Sequence, residues 1–210
     1  MARILITSGP TRQYLDPVRY LSNASSGRMG ACLAAAAIEY GHQVVIVSGP
    51  VNVEYPNDAK IIRVTTTPEM LDAATEHFPA CDGVIGAAAP CDFQPELVAT
   101  QKLKKQGDGL TLKLTETPDI LGSLGKIKQP QQWSVAFALE TENGAKNAVA
   151  KLKRKNCDLV VLNDPSAIEA NQTQIKVLDS TGAILSKVAD TKLAAAKAIL
   201  GCIDHHIINA

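Results

Sequence analysis

The sequence predicts an α/β domain built on a mostly parallel sheet, and three observations carry that reading. Short apolar runs at Ile4–Ser8, Val44–Val47, Ile61–Val64, Gly83–Gly86, Trp133–Leu139 and Leu159–Leu162 have the length and composition of buried strands. Helix-like segments alternate with the early runs, the first being an alanine-rich stretch from Gly30 to Tyr40 that Gly41 ends. Turn residues follow the strands at Gly9-Pro10, Ser48-Gly49-Pro50 and Ala87–Asp92, so a binding crevice is expected at the carboxyl ends of the strands. The plan is three-layer and Rossmann-like, with an additional antiparallel hairpin region.

Each element has a local reason. The small side chains of the Gly30–Tyr40 helix suit close packing on a sheet. Pro68 fits the first turn of a helix running through Met70, Leu71 and Ala74 towards Phe78. Between Pro10 and Asn23 no clear period is visible, and Phe93 to Gly109 is polar and basic. Leu110 to Thr115 alternates as a half-buried strand should, with Lys102 to Lys105 as its hairpin partner or as a loop. Thr117-Pro118-Asp119 starts a helix through Ile120 and Leu124. Another helix begins at or just after Asn143, with Lys and Arg at its carboxyl end, the favourable polarity for the helix dipole. Asn163-Asp164-Pro165 stops the last parallel strand. Ile175–Leu178, a turn at Asp179–Gly182 and Ala183–Ser186 form a late hairpin, and Asp190–Leu200 a final helix. With no linker or internal repeat, residues 1–210 read as one domain.

Composition narrows the function classes. The 210 residues carry 21 basic and 21 acidic side chains, so no net positive field favours a nucleic-acid backbone. No stretch approaches the ~20 apolar residues that span a bilayer, and a cytoplasmic protein without nucleic-acid or membrane partners is expected. Cys32, Cys81, Cys91, Cys157 and Cys202 lack the paired spacing of a zinc site, and their odd number argues against a disulfide scaffold. They read as buried or incidental thiols. Cys91 has no histidine near it in sequence to activate it as a nucleophile.

The chemistry-bearing segments sit at strand ends. Ser22-Asn23-Ala24-Ser25-Ser26-Gly27-Arg28-Met29-Gly30 precedes the first helix. Ser25, Ser26 and Gly27 at a helix start can bind a phosphate, or the segment is an ordinary capping loop. It lacks the Gly-Lys-Ser/Thr ending of a P-loop, and no GxGxxG follows the first strand. Asn23 can donate to an oxygen gaining charge, and Arg28 either contacts phosphate or is solvated. Small residues including Ala88 and Ala89 would let a planar ring approach the backbone. Asp92 could accept from sugar hydroxyls, hold the water shell of a magnesium ion, or cap a turn. Lys102, Lys104 and Lys105 form either a solvated tip or a phosphate clamp. Arg19 is a weaker anion candidate, as is Arg12. Phe137 is core or base pocket, and Asn163 with Asp164 could read a base edge or an amide-rich substrate.

Taken in order, the segments resemble the bacterial phosphopantothenate–cysteine ligase family, the carboxyl-terminal domain of the fused decarboxylase–ligase. The matching pieces are Gly9-Pro10-Thr11-Arg12, Leu15 to Tyr20, Ser22 to Gly30, Val47 to Pro50, Ala88 to Phe93, Lys102 to Lys105, Thr117 to Leu121, Phe137 to Glu142 and Asp158 to Asp164. Differences from the usual family pattern fall at Pro90, Cys91, Leu139 and Arg28.

The resemblance implies a two-step reaction. The carboxylate of 4′-phosphopantothenate attacks the α-phosphate of CTP, and the cysteine amine then attacks the acyl-cytidylate. It also implies that Asn23 holds the acyl-cytidylate and that Lys102 is the catalytic lysine. Asp92 would meet the ribose, with Ala88, Ala89 and Phe137 around the nucleotide. Mg2+ or Mn2+ would accompany the triphosphate. A homodimer is implied, with Leu110–Leu114 as a pairing edge, and association with a phosphopantothenoylcysteine decarboxylase is expected. The chain would be a standalone ligase or an excised domain. ATP in place of CTP is one alternative. A non-catalytic nucleotide-binding protein is another, and a nucleotide-sugar or dinucleotide-binding oxidoreductase, which should show a glycine fingerprint, is the third.

Overall fold

The structure, a computed structural model, describes residues 1–105, 107, 109–139, 144–163 and 172–209. The motif at 140–142, the helix start at Asn143 and the residue Asp164 lie outside these.

In chain order, β1 (Arg3–Ser8) is followed by a small hairpin, β2 (Arg12–Tyr14) and β3 (Tyr20–Ser22). Then come α1 (Arg28–Glu39), β4 (Gln43–Ser48), β5 (Lys60–Arg63), α2 (Thr67–His77) and β6 (Gly83–Gly86). A two-stranded arm pairs β7 (Phe93–Pro95) with β8 (Leu114–Glu116). The rest is α3 (Ile120–Ile127), β9 (Trp133–Leu139), α4 (Gly144–Arg154), β10 (Leu159–Asn163), β11 (Gln172–Leu178), β12 (Ile184–Thr191) and α5 (Lys192–Ile203), which runs on into a π-helical turn.

The main sheet has the order β12-β11-β10-β9-β6-β1-β4-β5. Pairing is parallel from β5 across to β10 and antiparallel for β10–β11 and β11–β12. Chain connections leave β1 towards β4 on one side and reach β6 on the other, so the order reverses between β1 and β6. In an open parallel sheet a crevice forms at the carboxyl ends of such a strand pair.

Alternation along the buried strands feeds two faces. Ile4, Ile6, Ile85, Val135 and Val161 face α1 and α5 in one apolar cluster. Leu5, Val45, Val47 and Val84 face α2 and α3 in another, and Ala136, Ala138 and Val160 meet α4 in a third. The predicted three layers are therefore present, with the sheet buried on both sides.

Helix starts follow their side chains. Thr66 and Glu69 form a reciprocal capping box at α2, with Pro68 in its first turn. Thr191 caps α5 by accepting from Ala194 N–H at 3.2 Å, so that helix begins at Lys192 rather than Asp190; β12 occupies the residues before it. Helix α1 starts differently. Gly27, with φ of 75°, precedes it and gives no side-chain cap.

Two expectations are corrected. The stretch 10–23, which shows no period, contains a hairpin, clamped by the Tyr14 and Tyr20 rings at 5.6 Å and by Arg12 stacked 4.5 Å over Tyr20. The alternating stretch from Leu110 forms a strand only at Leu114–Glu116, and its partner is Phe93–Pro95 rather than Lys102–Lys105. It is also not half-buried: Leu110, Leu112 and Leu114 are 61%, 37% and 42% exposed. The alternation is real, but the arm forms a separate small sheet that meets the β2–β3 hairpin through β7 and leaves these leucines exposed.

Helix α1 approaches β1 closely at Gly30, where a Cβ would fall 2.0 Å from Ser8 Oγ. Gly30→Ala is expected to lower stability by about 1–3 kcal/mol through overpacking, read as a lower urea midpoint at unchanged slope.

Candidate functional site

An open cleft of about 850 Å³ lies at the carboxyl ends of β1, β6, β9 and β10. It is built where two strand-end loops run side by side. Ala87 N–H donates to Thr7 O at 3.2 Å, Ala89 N–H to Gly9 O at 2.9 Å, and Cys91 N–H to the buried Thr11 hydroxyl at 2.9 Å. Thr11 in turn shares hydrogen bonds with Thr67, which also accepts from Gln13 Nε2 at 2.8 Å. Thr117 locks the far side, its N–H on Asp92 O and its hydroxyl on Cys91 O. The small residues 86–89 thus form a wall that a flat group can approach.

The opposite wall is the start of α1. No side chain caps it and its first turn carries no acidic residue. Its leading N–H groups and positive dipole end therefore suit an anion. Ser25, Ser26 and Gly27 line the cleft here. Asn23 sits between the walls and donates from Nδ2 to Pro90 O at 2.9 Å. That bond fixes the amide plane, and a primary amide has a second N–H to offer a ligand oxygen.

Cations gather on the rim. Arg28, Lys151, Arg154, Lys155 and Lys192 all line the cleft, against Asp92, Glu116 and Asp119. Burial and the charge of Arg28 lower the Lys192 ammonium from its ordinary value, with Cys32 acting the other way. Burial raises the Asp119 carboxyl, but Lys155 at 2.7 Å and the Gly122 N–H outweigh it and hold the carboxyl below its ordinary range. Cys91 lines the cleft, and burial pushes its thiol up, the wrong direction for a thiolate nucleophile.

Of the residues marked by the sequence, the cleft brings together Asn23, Ser25, Ser26, Gly27, Ala88, Ala89, Asp92, Phe137 and Asn163. Arg19, Lys102, Lys104 and Lys105 are not part of its lining within this chain. Arg19 is bound to Asp16, and Lys102, Lys104 and Lys105 are exposed on a loop beside that pair. Sequence reasoning missed Lys151, Arg154 and Lys155 as cleft residues. Their i, i+3, i+4 spacing puts them on one helical face, a signal that was visible. It also missed Lys192, which only the packing of α5 on α1 brings to the cleft.

Among the described residues no group of three His, Cys, Asp or Glu side chains is placed to hold a metal ion. A magnesium ion carried by phosphate oxygens and water needs only one or two carboxylates. Asp92 and Glu116 fit that need, whereas Asp119 is committed to Lys155. Among those residues, too, no helix is long and apolar enough to cross a membrane.

An uncapped helix start, a small-residue wall and a cationic rim at the strand ends define a Rossmann-like α/β protein with a cleft suited to an anion. Residues 1–206 match the DNA/pantothenate metabolism flavoprotein C-terminal domain, and the chain belongs to that family. It is 45% identical over 166 residues to the coenzyme A biosynthesis bifunctional protein CoaBC of Escherichia coli K12, covering 78% of this chain and 41% of that protein. It is 43% identical over 187 residues to a prokaryotic protein called cysteine/cysteine sulfinic acid decarboxylase, covering 87% of this chain and 52% of the relative. The chain thus spans about half or less of these relatives. The crystal structure of the C-terminal domain of a CoaBC protein superposes with a TM-score of 0.84 at 33% identity, covering 99% of this chain and 96% of that one.

Asp119 caps α3 by accepting from Gly122 N–H. Asp119→Ala should cost about 1 kcal/mol near neutral pH. Because the folded carboxyl is lowered, its contribution is present above the ordinary carboxylate range and is lost as pH falls through the folded value. Urea midpoints of the two proteins should therefore converge on acidification.

Proposed function

We propose that this chain joins 4′-phosphopantothenate to cysteine, spending CTP to activate the carboxylate. The observation that carries the reading is the Asn23 amide, fixed by Pro90 between an uncapped helix start and a small-residue wall. Kinship with the CoaBC C-terminal domain supports the same chemistry.

Oxide is too poor a leaving group for direct amide formation, so the carboxylate must first be activated. The carboxylate oxygen attacks the α-phosphorus and pyrophosphate leaves, giving a mixed anhydride. The cysteine amine then attacks the acyl carbon, CMP leaves, and the amine loses a proton. Such a route needs orientation and charge stabilisation rather than a side-chain nucleophile, which fits a cleft where the lining Cys91 is hydrogen-bonded and its thiol is pushed up by burial.

In this reading Ser25, Ser26 and Gly27 hold phosphate oxygens, and Asn23 donates to the oxygen that gains charge. Ala88, Ala89 and Phe137 flank the nucleotide, Asp92 accepts from its sugar, and Asn163 binds substrate. A magnesium ion, when bound, would withdraw charge from the phosphates. Lys102, Lys104 and Lys105 neutralise the departing pyrophosphate, and Arg19 meets the substrate phosphate. Since these four lie off the cleft, they act there only when the Arg19 turn and the lysine loop move together or when a second copy supplies both. A homodimer is proposed through the arm carrying Leu110, Leu112 and Leu114, which are exposed among the described residues. Cooperation with a decarboxylase that consumes the product completes the reading.

The test is mass spectrometry of the purified chain with 4′-phosphopantothenate, magnesium and either CTP or ATP, first without and then with cysteine. An acyl-nucleotide that converts to the amide on adding cysteine is expected with CTP. Product with ATP alone would replace the nucleotide, and no product with either would leave a binding role only. Asn23→Ala should slow the reaction by ~3 kcal/mol in transition-state terms, read in kcat with saturating substrates.

A further inference from the structure

We propose that Asp16 is a positioning residue that holds Arg19 and the Lys102-bearing loop together as one unit. The inference rests on the ligase reading for the roles of Arg19 and Lys102, but its geometry stands apart from that reading.

Asp16 lies in an otherwise solvent-facing turn, yet its side chain is fully buried, whereas Arg19 beside it is 40% exposed. A buried carboxylate must be compensated at every lone pair. Oδ1 accepts from the N–H groups of Val18 at 2.8 Å and Arg19 at 2.9 Å, an ordinary local turn that Asn or Ser could also make. Oδ2 has a different use. It accepts from Arg19 Nε at 2.9 Å, from Arg19 Nη2, and from Leu103 N–H at 3.1 Å, across 87 residues of sequence.

Arg19 Nη2 completes the ring by donating to Leu103 O at 2.6 Å. Both backbone polar groups of Leu103 are therefore bound by the Asp16–Arg19 pair. Ala99 N–H adds a second tether to Leu15 O at 3.0 Å. The peptide that links Lys102 to Leu103 is thus fixed, while Lys102, Lys104 and Lys105 remain exposed and outside regular structure. Burial would raise the Asp16 carboxyl, but Arg19 and the N–H groups of Val18, Leu103 and Arg19 outweigh it and hold the carboxyl well below the usual range, so the anchor stays charged at neutral pH.

A guanidinium has five N–H donors. Three serve Asp16 and Leu103, which leaves the Nη1 edge for an incoming anion without releasing the loop. Arg19 and Lys102 are then held in one frame, so a substrate phosphate bound at the first sets the position of the second.

Asp16→Asn keeps the Oδ1 turn but turns an NH2 group towards the donors of Arg19 and Leu103. Two readouts test it on the full chain. Trypsin cleavage after Lys104 and Lys105, followed by mass spectrometry, should quicken about tenfold, a size typical of losing one coupled contact, with cleavage elsewhere unchanged. In turnover, kcat should fall about tenfold, and the double variant Asp16→Asn/Lys102→Ala should lose clearly less than the product of the two single losses, because one of the groups that Asp16 positions is already gone.

Leu103→Pro removes the N–H that Asp16 Oδ2 accepts while leaving Asp16 and Arg19 in place, and it should reproduce both effects, which keeps the test open if Asp16→Asn folds poorly. Unchanged cleavage at Lys104 and Lys105 in a folded variant, or additive losses in the double variant, overturns the proposal. Absence of amide product from the unmodified chain would instead overturn the ligase reading, since the protease readout needs no turnover.

Discussion

Everything at the cleft depends on two loops being held side by side after their strands have ended. Parallel strands β1 and β6 stop pairing at Thr7 and Gly86, yet the chain beyond them does not splay. Backbone bonds from Ala87 and Ala89 continue the ladder in a looser form, and the Thr11 hydroxyl takes over at Cys91. Because Thr11 is fully buried, its hydroxyl must be satisfied inside, and it is shared with Thr67 at the start of α2. A chain of hydroxyls therefore sets the height of the small-residue wall. Pro90, carried on that wall, fixes Asn23, and Cys91 and Asp92 fix Thr117. Three separate segments inherit their positions from one buried polar seam.

A second seam supports the opposite wall. Tyr55 OH bridges Ser8 and Ser48 at 2.8 and 2.9 Å, and Ser8 Oγ donates to Gly27 O at 3.3 Å. The carbonyl just before α1 is thus tied to the ends of β1 and β4. This helps explain why Gly27 can serve as an uncapped helix start: the entry geometry is set from below, so no capping side chain is needed and the N–H groups stay available. Gly30 lets the helix sit directly on Ser8, so the uncapped end is presented at the sheet's carboxyl edge.

The strands were legible because each is a short apolar run bounded by turn residues, and burial on both faces of a parallel sheet writes that pattern directly into sequence. Helix starts at Pro68 and Asp119 were legible for equally local reasons. The hairpin at Arg12–Ser22 was not, since it is held by a stacked arginine and a tyrosine pair rather than by periodicity. Leu110–Leu114 misled in the other direction: alternation records a strand's two faces but not whether one chain covers either. For the site, Asn23, Ser25 to Gly27 and Ala88 to Asp92 could be read because they are contiguous and sit at strand ends. Lys192 could not, because no local signal ties the start of α5 to residues more than 160 positions earlier.

That long reach has a consequence for how the molecule comes into being. Helix α1 rests on α5, so the apolar bed beneath the Ser22–Gly30 loop needs a helix more than 160 residues further along the chain. The order of the central strands likewise requires β9 and β10 to join a sheet begun at the amino end. Non-local closure of this kind is slow compared with local helix formation. During synthesis the loop from Ser22 to Gly30 emerges early but stands over an unfinished interior. The first wall of the cleft is therefore complete only when α5 has docked under α1, so a change that loosens the carboxyl-terminal helix is felt at a loop far from it in sequence.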